Sequence, residues 1–367
     1  MILFNTLATL SGYLYVKHIM NIKHSPKVLF VCKKRQSSGP GPYAKLTSSG
    51  LLNSATFVNN MLNKNGIESH IVDIIDNNSI DSEVHKFRPT HVVIEALWVV
   101  PNKFDILTKK YPKIKWIVRL HSNTPFLANE GIAMKWIYDY SKYKNVIISV
   151  NSQKILRELH GLLKKPVLYT PNYYPVKFSN DTTNIKEYGV LNIGCFGAIR
   201  PLKNHLMQAI SAIEYANSMG KKLKFHINGT RIENNGNPVL KNLQSLFANN
   251  PKHELVEHKW LSHKDFITLL RKMDLSLQVS FSETYNIVTA DAVNNNVPVV
   301  VSPEIEWVAR IFKADPTNSK GMLHKIRLAL VFKFFGLHFI NKLLLYCDSK
   351  KAESIWLKYF KKGEYTY

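Results

Sequence analysis

The sequence predicts an α/β protein of two domains, each built on a parallel β-sheet with helices packed against it. The 367 residues exceed what one hydrophobic core usually organises. Short β-rich runs alternate with helix-length amphipathic segments in both halves, which is the pattern of βαβ units. A polar stretch without strand signals, 175–189, separates the two halves.

Runs rich in β-branched and aromatic residues predict the strands. Those of the first sheet are 27–33, 70–76, 91–96, 115–120 and 145–150. Those of the second sheet are 191–196, 222–228, 255–260, 275–279 and 297–302. Between the first two strands Leu51, Ala55, Val58 and Leu62 recur at helical spacing after Ser48-Ser49-Gly50, which predicts a helix that begins there.

The C-terminal stretch, 322–360, has the pattern of helices, and we expect its tail, 352–360, to pack back on the first domain. The chain therefore divides into three predicted segments. They are an N-terminal Rossmann-like domain at 1–178, a C-terminal Rossmann-like domain at 179–345, and a helix at 346–367 that crosses back to the first domain.

The chain is strongly basic, with 49 Lys and Arg against 26 Asp and Glu, a net charge of +23. Such a charge creates a positive field that attracts polyanions, among which nucleic acid, anionic membranes and phosphorylated substrates all fit. Hydrophobic residues make up 45% of the chain and no low-complexity tract interrupts it, which excludes a disordered protein.

The cysteines and the N-terminal stretch indicate the cellular compartment of the protein. Cys32, Cys195 and Cys347 are widely spaced and form no CxxC pair, which favours buried thiols in a reducing compartment over disulfides. The apolar stretch 1–20 lacks a basic leader region and a small-residue cleavage site, and no segment reaches the ~18 apolar residues of a membrane span. We expect a cytoplasmic protein, in the host cytoplasm if the chain is viral.

The most informative segment follows the predicted strand 275–279, where two acids, Glu283 and Asp291, are separated by seven residues. If a helix begins near Tyr285, Asp291 lies near its apolar face, where an unpaired carboxylate is costly. The hydroxyls of a ribose would be suitable partners for Asp291, and sugar hydroxyls for Glu283. An isolated pair would more often be a capping acid and a solvated acid.

The same segment suits a pyrophosphate. Backbone N–H groups around Asn286 and Ile287 would point at it, since the N-terminus of a helix favours negative charge.

This segment resembles the signature of the retaining, nucleotide-sugar-dependent glycosyltransferases with the GT-B fold, of the group 1 (family four) type. That signature is an acid, seven residues, a second acid, a small-residue turn and a Pro-Val-Val strand. Ser282-Glu283-Thr284-Tyr285-Asn286 occupies the place of the family's Ser-Glu-Gly-Phe-Gly. Three departures are Asn286 for glycine, Asp291 for Glu, and Asn294-Asn295-Asn296 for Ala-Cys-Gly, and Asn tolerates the left-handed backbone nearly as well as glycine.

A second match is Phe196-Gly197-Ala-Ile-Arg200-Pro-Leu-Lys203-Asn204, at the end of a predicted strand. In the resembled family this turn contains Gly-Arg and then Lys, and the two cations hold the donor phosphates. Gly197 and Lys203 fall at the expected offset, whereas Arg200 is displaced by two residues. Outside this context a lysine near a helix start is usually a solvated charge.

Three further positions complete the likeness. Gly50 opens a helix and would offer backbone donors across the cleft. His121 follows a strand at its carboxyl end, where open α/β sheets bind ligands. In the family a histidine here lines the reaction centre, although a lone histidine is more often structural. Leu261, within 258–262, lies where family members hold the nucleobase.

The resemblance implies a GT-B fold, two Rossmann-like domains that face a central cleft, and a nucleoside-diphosphate sugar as donor. No Asp-x-Asp motif occurs, so we expect no metal and no other cofactor. The residues that it assigns to catalysis are His121 and Glu283. Those that it assigns to donor binding are Gly50, Gly197, Arg200, Lys203, Leu261, Glu283, Tyr285, Asn286, Ile287 and Asp291.

The acceptor stays open at this stage. One alternative is a DNA-modifying sugar transferase, similar to those of some large bacteriophages, since the net charge suits a duplex. Another is a surface-glycan or lipid-linked sugar transferase at a membrane, because cations alternate with apolar residues in the C-terminal stretch as in a basic interfacial helix, although the same helix would also suit core packing. A third is a non-catalytic polyanion-binding protein that kept the fold. The alternating residues are Lys325, Arg327, Leu328, Phe332, Lys333, Phe334, Phe335, Lys342 and Leu343.

Overall fold

The computed structural model describes residues 25–34, 50–178 and 187–364. The apolar stretch 1–20, the predicted helix-start residues Ser48 and Ser49, and the middle of the polar stretch 175–189 lie outside the described residues. Two parallel β-sheets follow one another along the described chain, one of six strands and one of five.

The first sheet has the order β2-β1-β3-β4-β5-β6, with every pairing parallel. These strands are β1 (Lys27–Lys33), β2 (Glu68–Ile74), β3 (His91–Glu95), β4 (Lys115–Leu120), β5 (Val146–Val150) and β6 (Leu168–Tyr169). The predicted bounds of β1 and β4 are confirmed, whereas β2 begins and ends two residues before the predicted 70–76. β6 was not predicted, because two residues are too few to show an alternating pattern.

The second sheet has the order β11-β10-β7-β8-β9 and is also parallel throughout. Its strands are β7 (Val190–Gly194), β8 (Lys222–Ile227), β9 (Glu254–Glu257), β10 (Leu275–Gln278) and β11 (Val299–Val301). All five were predicted, but the prediction ran past their carboxyl ends by one to three residues. The residues just after these ends leave the sheet and form loops toward a cleft, as the site below shows.

Helices connect the strands and cover both faces of each sheet, which explains why strands such as β1 are buried along nearly their whole length. The predicted helix after residue 50 is confirmed, with Ala55, Val58 and Leu62 buried against the first sheet. The α-helices are α1 (Gly50–Lys64), α2 (Ile80–Phe87), α3 (Lys103–Lys110), α4 (Thr124–Leu127), α5 (Ala133–Ser141), α6 (Gln153–Leu162), α7 (His205–Ser218), α8 (Asn237–Ala248), α9 (His263–Leu270), α10 (Ile287–Asn294), α11 (Ser319–Phe334) and α12 (Ile340–Leu357).

The chain end crosses from the second sheet back to the first, as the sequence predicts. α12 continues into a π-helical turn, Lys358–Lys362, and its Trp356 is buried against the first sheet. The Trp356 ring lies 6.1 Å from the ring of Phe30, and its Nε1–H donates to the backbone carbonyl of Pro171 at 2.8 Å. Because α12 already begins at Ile340, the predicted crossing segment 346–367 starts inside this helix.

All cysteines of the chain lie in the described residues, and all three are free thiols. Cys32 and Cys195 are buried and Cys347 is exposed. Burial raises the pKa of the Cys195 thiol to about 12, so that this group is an inert part of the core.

Candidate active site

The carboxyl ends of the two sheets face each other across a cleft of about 410 Å³. Loops that follow β3, β4 and β5 line it from one side, and loops that follow β7, β8 and β10 line it from the other. The carboxyl edge of a parallel sheet is where open α/β folds bind ligands. Every residue that sequence analysis assigned to catalysis or donor binding borders this one cleft: Gly50, His121, Gly197, Arg200, Lys203, Leu261, Glu283, Tyr285, Asn286, Ile287 and Asp291.

Lys203 reaches the cleft from the turn after β7. It lies in a 3₁₀ turn, Pro201–Lys203, and its ammonium group forms an ion pair with the carboxylate of Glu283 from the loop after β10. Both side chains are largely buried, with exposed fractions of 11% and 9%. A cation and an anion therefore lie together, partly shielded from water, on the side of the cleft that the second sheet forms.

Gly197 shapes the turn that leads to Lys203. Its φ of +123° is one that side-chain-bearing residues rarely adopt, and a Cβ here would lie 3.7 Å from Lys203 Cε. Its N–H donates to the side chain of Asn228 at 2.9 Å, which fixes the turn against the loop after β8. Glycine is thus required for the backbone conformation of the loop.

The start of α10 also faces the cleft. Asn286 caps this helix with φ +61°, and its Oδ1 accepts from the backbone N–H of Thr289 at 2.9 Å. Its Nδ2 donates to Gln278 at the end of β10, at 2.8 Å. Asparagine here replaces glycine by tolerating the left-handed conformation, and it adds a helix cap that glycine lacks.

Asp291, inside α10, has protein partners that sequence analysis did not find. Only 1% of the residue is exposed, and its Oδ1 accepts hydrogen bonds from Tyr174 Oη at 2.7 Å and His263 Nε2 at 3.0 Å. The hydrogen bond with Asp291 raises the pKa of His263, so that His263 is the donor in this contact. The cost of burying the carboxylate is thus already offset within the protein, without the ribose that the sequence suggested as its partner.

Arg200 lines the cleft beside Lys203 but has different contacts. Its guanidinium lies 4.7 Å from the ring centroid of Phe126 in the first domain, and its Nη1 is 3.5 Å from a carboxylate oxygen of Glu233. Its Nε–H is buried and lacks a hydrogen-bond partner among the described residues. Arg200 therefore adds a second cation to this wall and retains an unused donor.

On the first-domain side, a buried ion pair supports His121. Arg119 and Glu95 are almost fully buried in adjacent strands, with Arg119 Nη1 3.2 Å from both Glu95 carboxylate oxygens. Arg119 also donates to the Thr170 carbonyl at 2.9 Å and to Asn172 Oδ1 at 2.7 Å. Sequence analysis predicted a role for neither charge, although a Glu and an Arg inside otherwise apolar strands indicate a paired, functional arrangement.

The surroundings of His121 keep its imidazole ring neutral. Burial, and then the charge of Arg119, lower the pKa of His121. Burial alone would raise the pKa of Glu95, but the charges and hydrogen bonds of Arg119 and His121 hold it below its ordinary value. The Nε2–H of His121 donates to Glu95, and Asn151 Nδ2 lies 3.5 Å from His121 Nδ1. Since both ring nitrogens have partners, His121 serves as a fixed, neutral group at the edge of the cleft.

Direct contacts join the two walls. Asn123 donates to the backbone carbonyl of Glu283, and Thr284 Oγ1 donates to the His121 carbonyl at 3.1 Å. A Cβ on Gly50, at the start of α1, would lie 3.2 Å from Ile287 Cγ2, so a glycine lets α1 approach the start of α10. The loops that contain the predicted catalytic residues are thus held together by specific hydrogen bonds.

The floor of the cleft beside Leu261 is aromatic. The guanidinium of Arg231 lies 4.1 Å from the Trp260 ring, and the backbone N–H of Trp260 donates to Thr230 Oγ1 at 3.0 Å. Flat apolar and cationic surfaces of this kind suit a nucleobase.

Within residues 25–34, 50–178 and 187–364, no group of three or more His, Cys, Asp or Glu side chains is arranged to hold a metal ion.

No family model matches this sequence, and no curated protein matches it either. Solved structures do match. OtsA in its apo form superposes with a TM-score of 0.65 at 11% identity, over 92% of this chain and 99% of that one. Sucrose-phosphate synthase from Thermosynechococcus elongatus gives 0.63 at 10% identity, over 92% and 98%. TarM of S. aureus, in complex with UDP, gives 0.57 at 11% identity, over 74% of this chain and 55% of that one.

Identities this low show the fold alone. The fold is GT-B, with two parallel-sheet units that face a cleft and a C-terminal helix that returns to the first unit. The fold that the sequence predicts is therefore confirmed.

Proposed function

We propose that this protein is a metal-independent glycosyltransferase that moves a sugar from a nucleoside-diphosphate sugar to an acceptor, with retention of configuration. One observation supports it above the others. Lys203, Arg200 and the start of α10 at Asn286 and Ile287 border one cleft together with the Glu283 carboxylate. Two cations and a helix N-terminus around one concave surface form a site for a diphosphate.

The chemistry follows from where charge develops. When the bond between the sugar carbon and the diphosphate oxygen breaks, its electron pair stays on the diphosphate and the sugar gains oxocarbenium character. Lys203, Arg200 and the α10 dipole lie at fixed positions and stabilise the diphosphate without rearrangement, an effect worth about 3–4 kcal/mol per donor group. Glu283, paired with Lys203, is placed to accept hydrogen bonds from sugar hydroxyls.

Retention follows if the acceptor oxygen attacks from the face that the diphosphate leaves. The acceptor proton then passes to the departing diphosphate oxygen, because His121 has both ring nitrogens engaged by Glu95 and Asn151. We assign His121 to positioning at the cleft edge, where its carbonyl also accepts from Thr284. The contacts between the two walls limit access of water and thus hydrolysis of the donor.

The names of the structural relatives are compatible with this proposal. One matching structure is a glycosyltransferase from Rickettsia africae, and the TarM structure contains UDP. A non-catalytic polyanion-binding protein is the competing proposal. Asn286 and Asp291 both depart from the family signature. However, Asn286 caps α10 and the Asp291 carboxylate accepts a hydrogen bond from Tyr174, so both residues fit the local structure, which weighs against this alternative.

Two acceptors remain from the sequence, a modified DNA base and a glycan or lipid at a membrane. The net charge of +23 suits both. The exposed apolar residues Phe334 and Phe335 favour the second, since a DNA surface offers them nothing to contact.

The direct test is a panel of nucleotide sugars, assayed for release of UDP, GDP or ADP with and without duplex DNA. We expect one donor to be hydrolysed slowly in the absence of acceptor, and the release to stop in Lys203→Met. Lys252→Met, a change of an exposed lysine before β9, is the matched control. Absence of release and of binding for every donor would favour the non-catalytic alternative.

A further inference from the structure

The turn between the last two helices exposes a group of large apolar side chains to water. We call it the apolar tip. Phe334 is 86% exposed and Phe335 67% exposed, and their rings contact each other at 5.2 Å. Single exposed apolar residues are ordinary, but a contiguous group marks an interaction surface. The tip comprises Val331, Phe334, Phe335, Leu337, Phe339, Ile340, Leu343 and Leu344.

The backbone makes this tip a projecting corner. α11 ends at Phe334, Gly336 takes a left-handed conformation with φ +73°, and α12 begins at Ile340 after a short 3₁₀ turn. The two helices are bent by 105° relative to each other. Among the described residues no single helix is long and apolar enough to cross a membrane, and only this bent pair passes that test when combined.

The core does not require the tip. The inward face of α11 is occupied by Met322, Ile326 and Ala329, all buried, and the ring of Phe332 packs at 5.6 Å on that of Phe312. Of the alternating residues that the sequence suggested as an interfacial helix, Phe332 and Lys342 thus belong to the interior, and Lys342 donates to Asn296 at 2.9 Å. Phe334, Phe335 and Leu343 face water instead.

Charge along the same helices is complementary to an anionic surface. The exposed face of α11 runs from Lys320 and Arg327 to the tip at Phe334. The exposed face of α12 runs from the tip at Ile340 to Lys350. No Asp or Glu occurs between residues 316 and 347. α11 therefore presents apolar side chains at the corner and cations farther away, whereas on α12 Lys350 forms an ion pair with Glu353 at 2.8 Å.

We propose that the apolar tip inserts into the interfacial region of an anionic membrane. At a rise of 1.5 Å per residue, Arg327 lies about 10 Å along α11 from Phe334. An interfacial helix buries its apolar face about 5–10 Å into the boundary of headgroups and acyl chains, so that Arg327 would meet the lipid phosphates. A second copy of this chain is a poorer partner, since its own cations would be brought close.

The surface is separate from the cleft, because none of the tip residues borders it. Membrane binding therefore requires neither a donor sugar nor catalysis, and it can be tested without either. The inference bears on the acceptor, because a protein held at a membrane meets acceptors attached to lipids.

The test is vesicle flotation of the full chain with neutral phosphatidylcholine vesicles and with vesicles that contain phosphatidylglycerol, at low and high salt. We expect flotation with the anionic vesicles, weakened by salt. Phe334→Ser/Phe335→Ser should bind at least about tenfold more weakly, since two exposed rings lose their burial in the interface. Its unfolding temperature should stay that of the wild type, because both rings are outside the core. The control variant Ile106→Ser/Leu162→Ser removes two apolar side chains of the first domain that are also exposed, by 56% and 53%. It should bind the vesicles as the wild type does.

Several outcomes would overturn the proposal. One is no flotation of the wild type with either vesicle. Another is equal loss of binding in the tip variant and the control variant. A third is a wild-type dimer in light scattering that becomes a monomer in Phe334→Ser/Phe335→Ser, since the tip would then bind a second copy of the chain.

Discussion

Lys203 and Glu283 form an ion pair that joins the turn after β7 to the loop before α10, with about a tenth of each side chain exposed. The two residues are 80 positions apart in the chain, and the backbone N–H of Phe281 also donates to the carbonyl of Leu202 at 2.9 Å between the same two loops. In the proposed reaction Lys203 holds the diphosphate and Glu283 the sugar. Their pairing in the free protein keeps both at the place where they are needed.

The first prediction concerns the loss of one partner. Lys203→Met should lower turnover about 10²- to 10³-fold, because a fixed charge beside the diphosphate is removed. It should also lower the free energy of unfolding by roughly 3 kcal/mol, since Glu283 is left as a buried, unpaired carboxylate. Steady-state kinetics and denaturant unfolding measure the two effects.

The double variant Lys203→Met/Glu283→Gln separates these effects. With both charges removed, most of the lost stability should return, whereas activity should not. If turnover recovered together with stability, the pair would be structural and the proposed diphosphate site would be wrong.

A second prediction concerns the cap of α10. Asn286→Ala should reduce the free energy of unfolding by about 1–2 kcal/mol, since it removes the cap and places a Cβ-bearing residue at φ +61° without the hydrogen bond to Gln278. Asn286→Gly should cost less, because glycine adopts this conformation without strain. Equal stability of the two variants in urea unfolding would show that the left-handed backbone is not what selects this residue.

A third prediction concerns pH and stability. Burial lowers the pKa of His205 to about 3, and that of His91 to about 4, so folding favours the neutral form of both. A histidine with a depressed pKa contributes stability above its unfolded value of about 6.5, and this contribution is lost as the pH falls toward the folded value. Stability should therefore decrease from pH 7 to pH 4.

His205 is the residue with which to test the sign. Neither of its ring nitrogens has a hydrogen-bond partner among the described residues, so His205→Leu breaks no contact of this kind. Between pH 7 and pH 5 the wild type should lose about 2 kcal/mol more than this variant in denaturant unfolding. Identical pH profiles would mean that His205 is solvated in the folded protein.

A fourth prediction concerns Asp291 and His263. Asp291→Asn removes the charge that raises the pKa of His263, so that pKa should fall in an NMR titration of the ring protons. Donor affinity should fall about tenfold or more as well, because the carboxylate borders the cleft. An unchanged donor affinity with a shifted His263 would reduce Asp291 to a structural partner of Tyr174 and His263.

A fifth prediction concerns metals. Lys203 and Arg200 supply the positive charge that a divalent ion supplies in metal-dependent transferases, so activity should persist in EDTA. Activity that is lost in EDTA and restored by a divalent cation would contradict the proposed site.

The fold was largely predictable from sequence because its signals are local. Parallel strands buried on both faces give continuous apolar runs such as Val28–Val31, and these placed the start of all ten predicted strands within two residues of the observed start. β6 was missed because a strand of two residues has no period. Strand ends were overestimated where apolar residues, such as Phe196, continue past the sheet into the core.

The site was predictable only where the sequence matched a known motif. Glu283, Asn286 and Asp291 follow from spacing within one segment, and Lys203 follows from its offset from Gly197 in another. Partners from distant segments do not, as with Tyr174 on Asp291, 117 residues away. The Glu95–Arg119 pair was detectable in principle, since both charges interrupt apolar strands, but only the pairing of β3 with β4 shows that they meet.

In the proposed site the turn with Lys203 and the start of α10 together hold a diphosphate. Titration calorimetry of the wild type and of Lys203→Met/Glu283→Gln, with a nucleoside diphosphate and with the parent nucleoside, measures this binding. We expect the wild type to prefer the diphosphate at least about a hundredfold, and the double variant to lose most of that preference, since each well-placed charged contact is worth roughly 1.5–3 kcal/mol. If the double variant kept the wild-type preference, Lys203 and Glu283 would not be part of a diphosphate site.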